Sequence, residues 1–441
     1  MRSYMKLSLL LSNSLFISFS FTSFAAPISF DLRNVGGDNF VSSVKSQDGG
    51  TCWTHGTMAA IESNLLKTNQ WKNNGENGEP NLAEYHLDWW NGFNEHFNSD
   101  ISPSKQGLSV HEGGDYLVAA AYLSRGGAVR DLDGQSFSSA PKFHADTYHR
   151  YYVRDIEWLT AGDQNQTIND IKNALMENGV IGTALDWDSA FYSSSKNTFY
   201  QPASSEELPN HAVSIIGWDD NKITQAPNKG AWLVKNSWGT GWGEKGYFWI
   251  SYFDKTSAHH IQMGAISFKN VERLSYDKIY THDYHGWRDT KLGITEAFNA
   301  FTSEGGPTGK ETLKSVSFIT AATDVLYLIS IYRTFKNGQL EDMVSLTDGG
   351  FHHSGFHTVD LDQSVELNKG APFYVQIKLS HGGHAFDKTS DVPVLLGGSS
   401  RTIVPSIAKP GESFYLDNGT WIDLNKENKT ANFCIKALTS H

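Results

Sequence analysis

The stretch "SQDGGTCWTHGTMAAIESNLL", Ser46 to Leu66, holds one of only two cysteines in a chain of 441 residues. Trp53, Thr57, Ala60, Ile61, Asn64 and Leu65 recur at helical spacing and form a mostly apolar face. A helix that begins at Cys52 places the sulfur beside unpaired backbone N–H groups and the positive end of the helix dipole, and both favour the thiolate. Gly49 and Gly50 let the preceding chain turn tightly and keep the sulfur approachable. A cysteine that only fills space needs neither feature. Buried free cysteines are nonetheless common, so this stretch alone leaves the nucleophile and the structural cysteine equally open.

A thiol nucleophile needs a base and a group that orients the base. "NHAVSIIGWDD" from Asn210 and "KNSWGTGWGEKGYFWISY" from Lys235 offer both. Each opens or closes an apolar run of strand character. A hairpin with its loop centred between Ile223 and Thr224 sets His211 opposite Asn236. The Asn236 amide oxygen then accepts from one imidazole nitrogen, and the other nitrogen faces the thiol. Trp238, two residues on, shares the Asn236 side of the strand and is placed to cover this hydrogen bond and keep it dry. Asn210 and Ala212 flank the base and are expected to line substrate subsites. Gln47 precedes Cys52 by a few residues and offers an amide donor for the oxygen of a tetrahedral intermediate, with the Cys52 backbone N–H as the second donor. His55 is a rival base at a same-face helical spacing. A base on the nucleophile's own helix leaves no opposing wall for a substrate, so His211 is preferred.

"QDGGTCW", "NHAVSIIGW" and "KNSWGTGWGEKGYFWISY" resemble, in order, the three signature blocks of papain-family cysteine peptidases. "FDLR" at Phe30–Arg33 resembles the start of their mature chains, and "HEGGDY" resembles the glycine pair of their substrate cleft. The resemblance runs from about Ile28 to Ser251. It implies an α+β fold of two lobes, a helical one carrying Cys52 and a β-rich one carrying His211 and Asn236, with the site in the groove between them. By the same resemblance Cys52 is the nucleophile, His211 the base and acid, Asn236 the orienting residue and Gln47 the oxyanion donor. Gly113 and Gly114 would pair with substrate backbone.

Three departures stand out. The interval from Gln47 to Cys52 is one residue shorter than the family pattern. The cysteine that usually precedes the nucleophile is missing, with its disulfide partner. "CWTHG" replaces "CWAF". Between Ala26 and "FDLR" there is also no room for the family's long inhibitory propeptide. The polar, Trp-rich segment from Lys67 to Gln106, read as an insertion, or the few N-terminal residues are therefore expected to cover the cleft.

After about Lys269 the texture changes. "LKSVSFIT", "VLYLISIYRTF", "FHTVDL", "PFYVQIKLS", "VPVLLGG" and "ANFCIKALT" alternate at regular spacing between Gly, Asn and Asp clusters, the pattern of an antiparallel β-sandwich. This region resembles the lectin-like domain that follows such peptidases in some secreted bacterial proteins, and the resemblance implies a carbohydrate ligand. The expected organisation is a signal peptide over residues 1–25, a peptidase domain over 26–268 and a sandwich over 269–441.

The signal reading rests on Arg2 and Lys6 before an apolar run from Leu7 to Phe24, with cleavage near Ala25, so the protein is expected to be secreted. No other run approaches the roughly 20 apolar residues that span a bilayer. A net charge of −12 with no basic stripe argues against a nucleic-acid partner. Cys434, in an alternating strand, reads as a buried apolar residue. "HDYH" (282–285), "HHSGFH" (352–357) and "HGGH" (381–384) lack the partners and spacing of zinc sites, so no metal or cofactor is expected. The expected protein is a monomeric cysteine peptidase acting on peptides or proteins. Two alternatives are a catalytically silent relative that binds glycan or protein, and an acyl transferase using the same Cys–His pair.

Overall fold

The structure is a computed structural model and describes residues 26–101, 106–159 and 164–441; the expected signal segment lies outside them. The longer helices of the first lobe are α1 (Cys52–Lys67), α2 (Glu84–Trp90) and α3 (Tyr116–Ser124), and α4 (Gln164–Asn178) packs on the sheet of the second lobe. Helix α1 is buried from Cys52 to Leu65 on all sides, not along one stripe. Its small residues explain this. A Cβ on Gly56 would stand 2.6 Å from the Tyr116 hydroxyl and 3.7 Å from the Val213 carbonyl oxygen, so only glycine lets α3 and the facing strand close on the helix. The segment from Lys67 to Gln106 is woven into the lobe: Glu84, Tyr85, His86, Leu87 and Asp88 of α2 are all buried.

The second lobe is a sheet of β1 (Ser29–Asp31), β2 (Arg150–Trp158), β3 (Ile181–Leu185), β4 (His211–Asp219), β5 (Ala231–Lys235), β6 (Tyr247–Ser251) and β7 (Ile266–Arg273). Its central strands read as nearly continuous apolar runs because both faces are covered. β1 pairs with the far end of β4, Phe30 opposite Trp218, and Trp218 Nε1 donates to the Pro27 carbonyl. The N-terminal residues are therefore tied down away from His211. Gly217 lies at this crossing, where a Cβ would meet the Phe30 carbonyl oxygen at 2.2 Å. Gly217→Ala is expected to push β1 off β4 and destabilise the protein by about 2 kcal/mol, read as a lowered urea midpoint at unchanged slope.

The C-terminal module contains β8 (Glu296–Thr302), β9 (Lys310–Thr320), β10 (Val325–Lys336), β11 (Gln339–Phe351), β12 (Ser354–Asn368), β13 (Pro372–Leu379), β14 (Ser390–Pro393), β15 (Arg401–Val404), β16 (Ser413–Asp417) and β17 (Ile435–Ser440). One layer runs β11–β10–β13–β8–β16, and the facing layer is β17–β9–β12. Their inner residues, among them Val316, Ile329, Ile331, Phe373, Val375 and Ile377, form a second core. The two modules share one sheet, because β12 pairs with β2: Phe356 faces Ile156 and His357 faces Asp155. The expected boundary between residues 268 and 269 falls inside β7, which follows β2 from Trp158 to Tyr151.

Two strand readings change. "ANFCIKALT" is interrupted at Cys434, whose buried N–H turns aside to the Ala385 carbonyl. "VPVLLGG" is a strand only to Pro393. Gly397 and Gly398 fold the rest into a tip, and Leu396 is buried in the core that includes the first module instead of the inner core of the sandwich.

Candidate active site

Cys52 is the first residue of α1, His211 the first of β4, and Asn236 follows the last of β5. The Cys52 thiol is hydrogen-bonded by the backbone at Ala212, the neighbour of His211, which brings the helix start against the strand start. His211 Nε2 lies 2.8 Å from Asn236 Oδ1. The same oxygen accepts the Ser237 N–H at 2.8 Å, which identifies it as the amide oxygen. His211 Nε2 is therefore the protonated nitrogen, and Nδ1 keeps its lone pair.

The hairpin register differs from the sequence expectation by two residues. Ser214 faces Lys235 and Ile215 faces Val234, so a continued ladder would set His211 opposite Trp238. Asn236 is the diagonal neighbour on the same face. A shift of two preserves the face, whereas a shift of one would have turned His211 away. The corrected register also explains Trp238, whose ring stacks on His211 at 4.4 Å between centroids and 24° between planes. Trp187 and Trp242 hold Trp238 edge-on at 4.9 and 5.1 Å.

Burial dominates the electrostatics. Cys52 is 4% exposed and His211 5%. Desolvation pushes the Cys52 thiol up to about 11 against the pull of backbone hydrogen bonds from Ala212 and Trp53. It pushes His211 down to about 4, and the Asn236 hydrogen bond only partly opposes this. Burial thus works against the charged form of each group and opposes the preference of the helix start for a thiolate. Removing the indole cover readmits water. Trp238→Ala is expected to raise the His211 pKa from about 4 toward its ordinary value, read by NMR of labelled histidine. It should also lower turnover about tenfold through the wetter His211–Asn236 bond.

Gln47 is brought to the site by pairing of 45–47 with 237–239: its N–H donates to the Ser237 carbonyl at 2.8 Å. Its side-chain oxygen accepts from Ser237 Oγ at 2.7 Å. Its Nε2 donates to the Gly49 carbonyl at 2.8 Å, so one of its two amide N–H groups is occupied within the shortened loop. Asn210 accepts the Trp187 N–H and donates to Asp186 Oδ1, both at 2.7 Å, so its side chain braces the Asp186–Trp187 segment beside the base. Ala212 is 1% exposed and meets Cys52 through its backbone. His55 Nδ1 points to the Thr51 carbonyl at 2.8 Å, and its ring packs against the edge of Tyr85.

Beneath the site lies a charged network that sequence reasoning missed. Lys45 Nζ contacts Glu62 at 2.8 Å and Glu84 at 2.5 Å, both carboxylates being all but inaccessible. Burial disfavours the ammonium, but the two carboxylates outweigh it and hold Lys45 charged. Ser42 donates to Glu62 and accepts from Lys235 Nζ, the residue beside Asn236. A glutamate inside the apolar run "MAAIESNLL" was the available signal, since a lone charge on a core face requires a partner.

Gly113 and Gly114 precede α3 on the other side of Cys52; Gly50 N–H donates to the His111 carbonyl beside them. The tip after β14 rests on this pair: Leu396 N–H donates to the Gly114 carbonyl at 3.3 Å. The histidine clusters are dispersed. His282 bonds the Ala300 carbonyl, His352 Asp324, His381 the Thr323 carbonyl and His384 the Thr295 carbonyl. His285 lies near Asp100 and Asp387, with Arg125 and Arg288 also acting on it. Two guanidinium groups at such close quarters oppose a cation there.

Residues 26–267 match the papain family cysteine protease and residues 279–439 the lectin like domain. The chain is 30% identical over 230 residues to pro-cathepsin H of Bos taurus, 51% of this chain and 59% of that one. It is 26% identical over 233 residues to cysteine proteinase 1 of Entamoeba histolytica, 50% and 62%. It thus spans about six tenths of the length of these curated relatives. Among solved structures it is similar to the clostridial cysteine protease Cwp84 after propeptide cleavage, with a TM-score of 0.72 and 25% identity over 93% of this chain and 99% of that one. The cysteine protease and lectin-like domains of Cwp84, a surface layer associated protein of Clostridium difficile, give the same TM-score at 24% identity over 100% and 97%. The family match covers more than half of the sequence and includes the Cys52 helix, the His211 strand and Asn236: the chain belongs to the papain family of cysteine proteases.

Proposed function

We propose that the protein is a secreted cysteine peptidase that cleaves peptide bonds through Cys52, His211 and Asn236. The observation that carries this reading is the 2.8 Å His211–Asn236 hydrogen bond, which leaves Nδ1 as the free ring nitrogen in a base whose neighbour Ala212 bonds the Cys52 thiol. Nδ1 takes the thiol proton as the sulfur attacks the scissile carbonyl carbon. The oxyanion is met by the Cys52 backbone N–H and the second N–H of the Gln47 amide. Collapse breaks the C–N bond, and the departing amine takes the proton from His211. His211 then removes a proton from water, which resolves the thioester to the acid and returns the thiol. Gly113 and Gly114 offer an edge for an extended peptide.

The peptidase and sandwich domains are read as residues 26–268 and 269–441, the second as an accessory domain for carbohydrate. Secretion follows from the 1–25 signal reading. It agrees with the surface layer association of Cwp84, and among the described residues no helix is long and apolar enough to cross a membrane. The test is digestion of a peptide library under reducing conditions, with mass spectrometry of the chain after reaction with an epoxysuccinyl reagent. Cleavage and a label on Cys52 are expected. Failure to cleave any peptide, by the chain and by a variant with residues 394–400 replaced, overturns the reading.

A further inference from the structure

The tip joining β14 to β15, "VLLGGSS" at Val394–Ser400, belongs by sequence to the C-terminal module. By position it belongs to the cleft. Leu396 N–H donates to the Gly114 carbonyl, and Leu396 is 1% exposed in the continuous core that the first module shares with Val392 and Val404. The Val394 carbonyl oxygen comes so close to Gly113 that a Cβ there would lie 1.7 Å away, and Leu395 Cδ2 would be 3.2 Å away. Gly397, in the left-handed region at φ +86°, rests against His260 and Pro209, the latter two residues before His211.

The tip is braced from behind. Val394 N–H donates to the Ser400 carbonyl at 2.8 Å and closes the loop. Thr402 Oγ1 donates to the Gly107 carbonyl at 3.3 Å, and Asn98 Nδ2 to the Pro405 carbonyl at 2.9 Å. Asp100 accepts from Ser406 Oγ at 2.7 Å and from the Ile407 N–H at 2.6 Å. Every brace joins the hairpin or its continuation to the 98–107 segment.

We propose that the 394–400 tip is a built-in occupant of the substrate cleft, holding the Gly113–Gly114 edge in the backbone bond that an incoming peptide must make and so keeping the enzyme latent. The inference rests on the peptidase reading of the site. The cover expected from the 67–106 segment or the N-terminal residues comes from the other module instead. Asn98 and Asp100 of the 67–106 segment supply braces behind the tip, and residues 27–31 are paired to the far end of β4. The tip competes without being cut. After Leu396 the chain reverses at Gly397–Gly398, where the Gly398 N–H donates to the Leu395 carbonyl at 2.5 Å, so the main chain turns back instead of running on through the cleft as an extended peptide. Leu396 provides most of the hold, because burying a leucine side chain contributes more than a single backbone hydrogen bond. A tip held this way leaves roughly 0.1–10% of molecules open, and the apparent substrate affinity falls by that fraction.

The test compares the full chain with Leu396→Asp, with a variant whose 394–400 tip is replaced by a two-residue Asn-Gly turn, and with Ile403→Asp on the exposed flank of the hairpin. Two rates are measured: alkylation of Cys52 by a peptidyl epoxysuccinyl reagent, and hydrolysis of a fluorogenic peptide. Both tip variants are expected to be alkylated at least tenfold faster, with kcat/KM raised by the same factor through a lower KM, and Ile403→Asp to match the parent. Should Leu396→Asp fail to fold, the turn replacement carries the comparison. Equal alkylation rates in parent and tip variants overturn the proposal, whatever the hydrolysis. Faster alkylation without hydrolysis supports the tip as occupant and overturns the peptidase reading.

Discussion

Cys52→Ala is expected to lower kcat/KM for a small peptide substrate by about ten-thousand-fold or more, relative to the parent chain in the same tip state. The size follows from the division of labour in the site. In the proposed mechanism every proton that His211 moves serves bond making or breaking at the sulfur, and Asn236 only orients His211, so without the sulfur the whole unit falls silent at once. What remains is cleft binding and the oxyanion donors, which orient a carbonyl with no nucleophile in reach. Cys52 is 4% exposed in a helix start packed on all sides, and alanine removes only one small atom there. The variant should therefore fold normally, and its loss of activity should come without a change in urea midpoint. A residual rate within a hundredfold of the parent would assign the chemistry to another group. His211→Ala should cost nearly as much and add little to Cys52→Ala in the double variant, because the two residues serve one step.

Glu62→Ala is expected to destabilise the protein by about 3 kcal/mol, toward the lower end for a broken buried ion pair because Lys45 keeps Glu84. Three donors lose their acceptor together: Lys45 Nζ, Ser42 Oγ at 2.5 Å and the Leu82 N–H at 2.8 Å. The replacement also leaves a cavity in the middle of α1, where Glu62 is 0% exposed. Glu62→Gln restores the shape and one acceptor, so a smaller loss of about half is expected. The measurement is urea unfolding at constant slope. A loss below 1 kcal/mol would mean that the network is solvated and contributes little. Activity should fall as well, because Ser42 also carries Lys235, and Lys235 precedes Asn236 in the chain.

Much of the site was legible because its elements announce themselves locally. A cysteine after a glycine pair, a histidine at the head of an apolar run and an asparagine at the end of another are features of adjacent residues. Their pairing could be guessed to within two positions. The guess survived because an even error in strand register keeps side chains on the same face, so His211 still met Asn236. Trp238 stacks on the His211 ring itself and is not merely beside Asn236. Adjacency to the base did not show which way the Asn210 amide turns: it accepts from the Trp187 N–H and donates to the Asp186 carboxylate.

By itself the sequence determined the class of fold, the order of the modules and the identity of the three residues on which the family resemblance rests. The helix and strand texture is set by hydrophobic period and turn residues, which act within ten or twenty positions, whereas the two-lobed fold and the three residues follow from the family resemblance. Only the tertiary structure decided the desolvation of the pair, the network below it and the contact of the 394–400 tip with Gly114. The Cys52 thiol is pushed up by burial that no single stretch encodes. Lys45, Glu62 and Glu84 pair across three segments, and Leu396 reaches Gly114 from another module altogether. Desolvation and hydrogen-bond satisfaction depend on what packs from every side, and in this chain the decisive neighbour lies 282 residues from its partner in sequence (396 − 114).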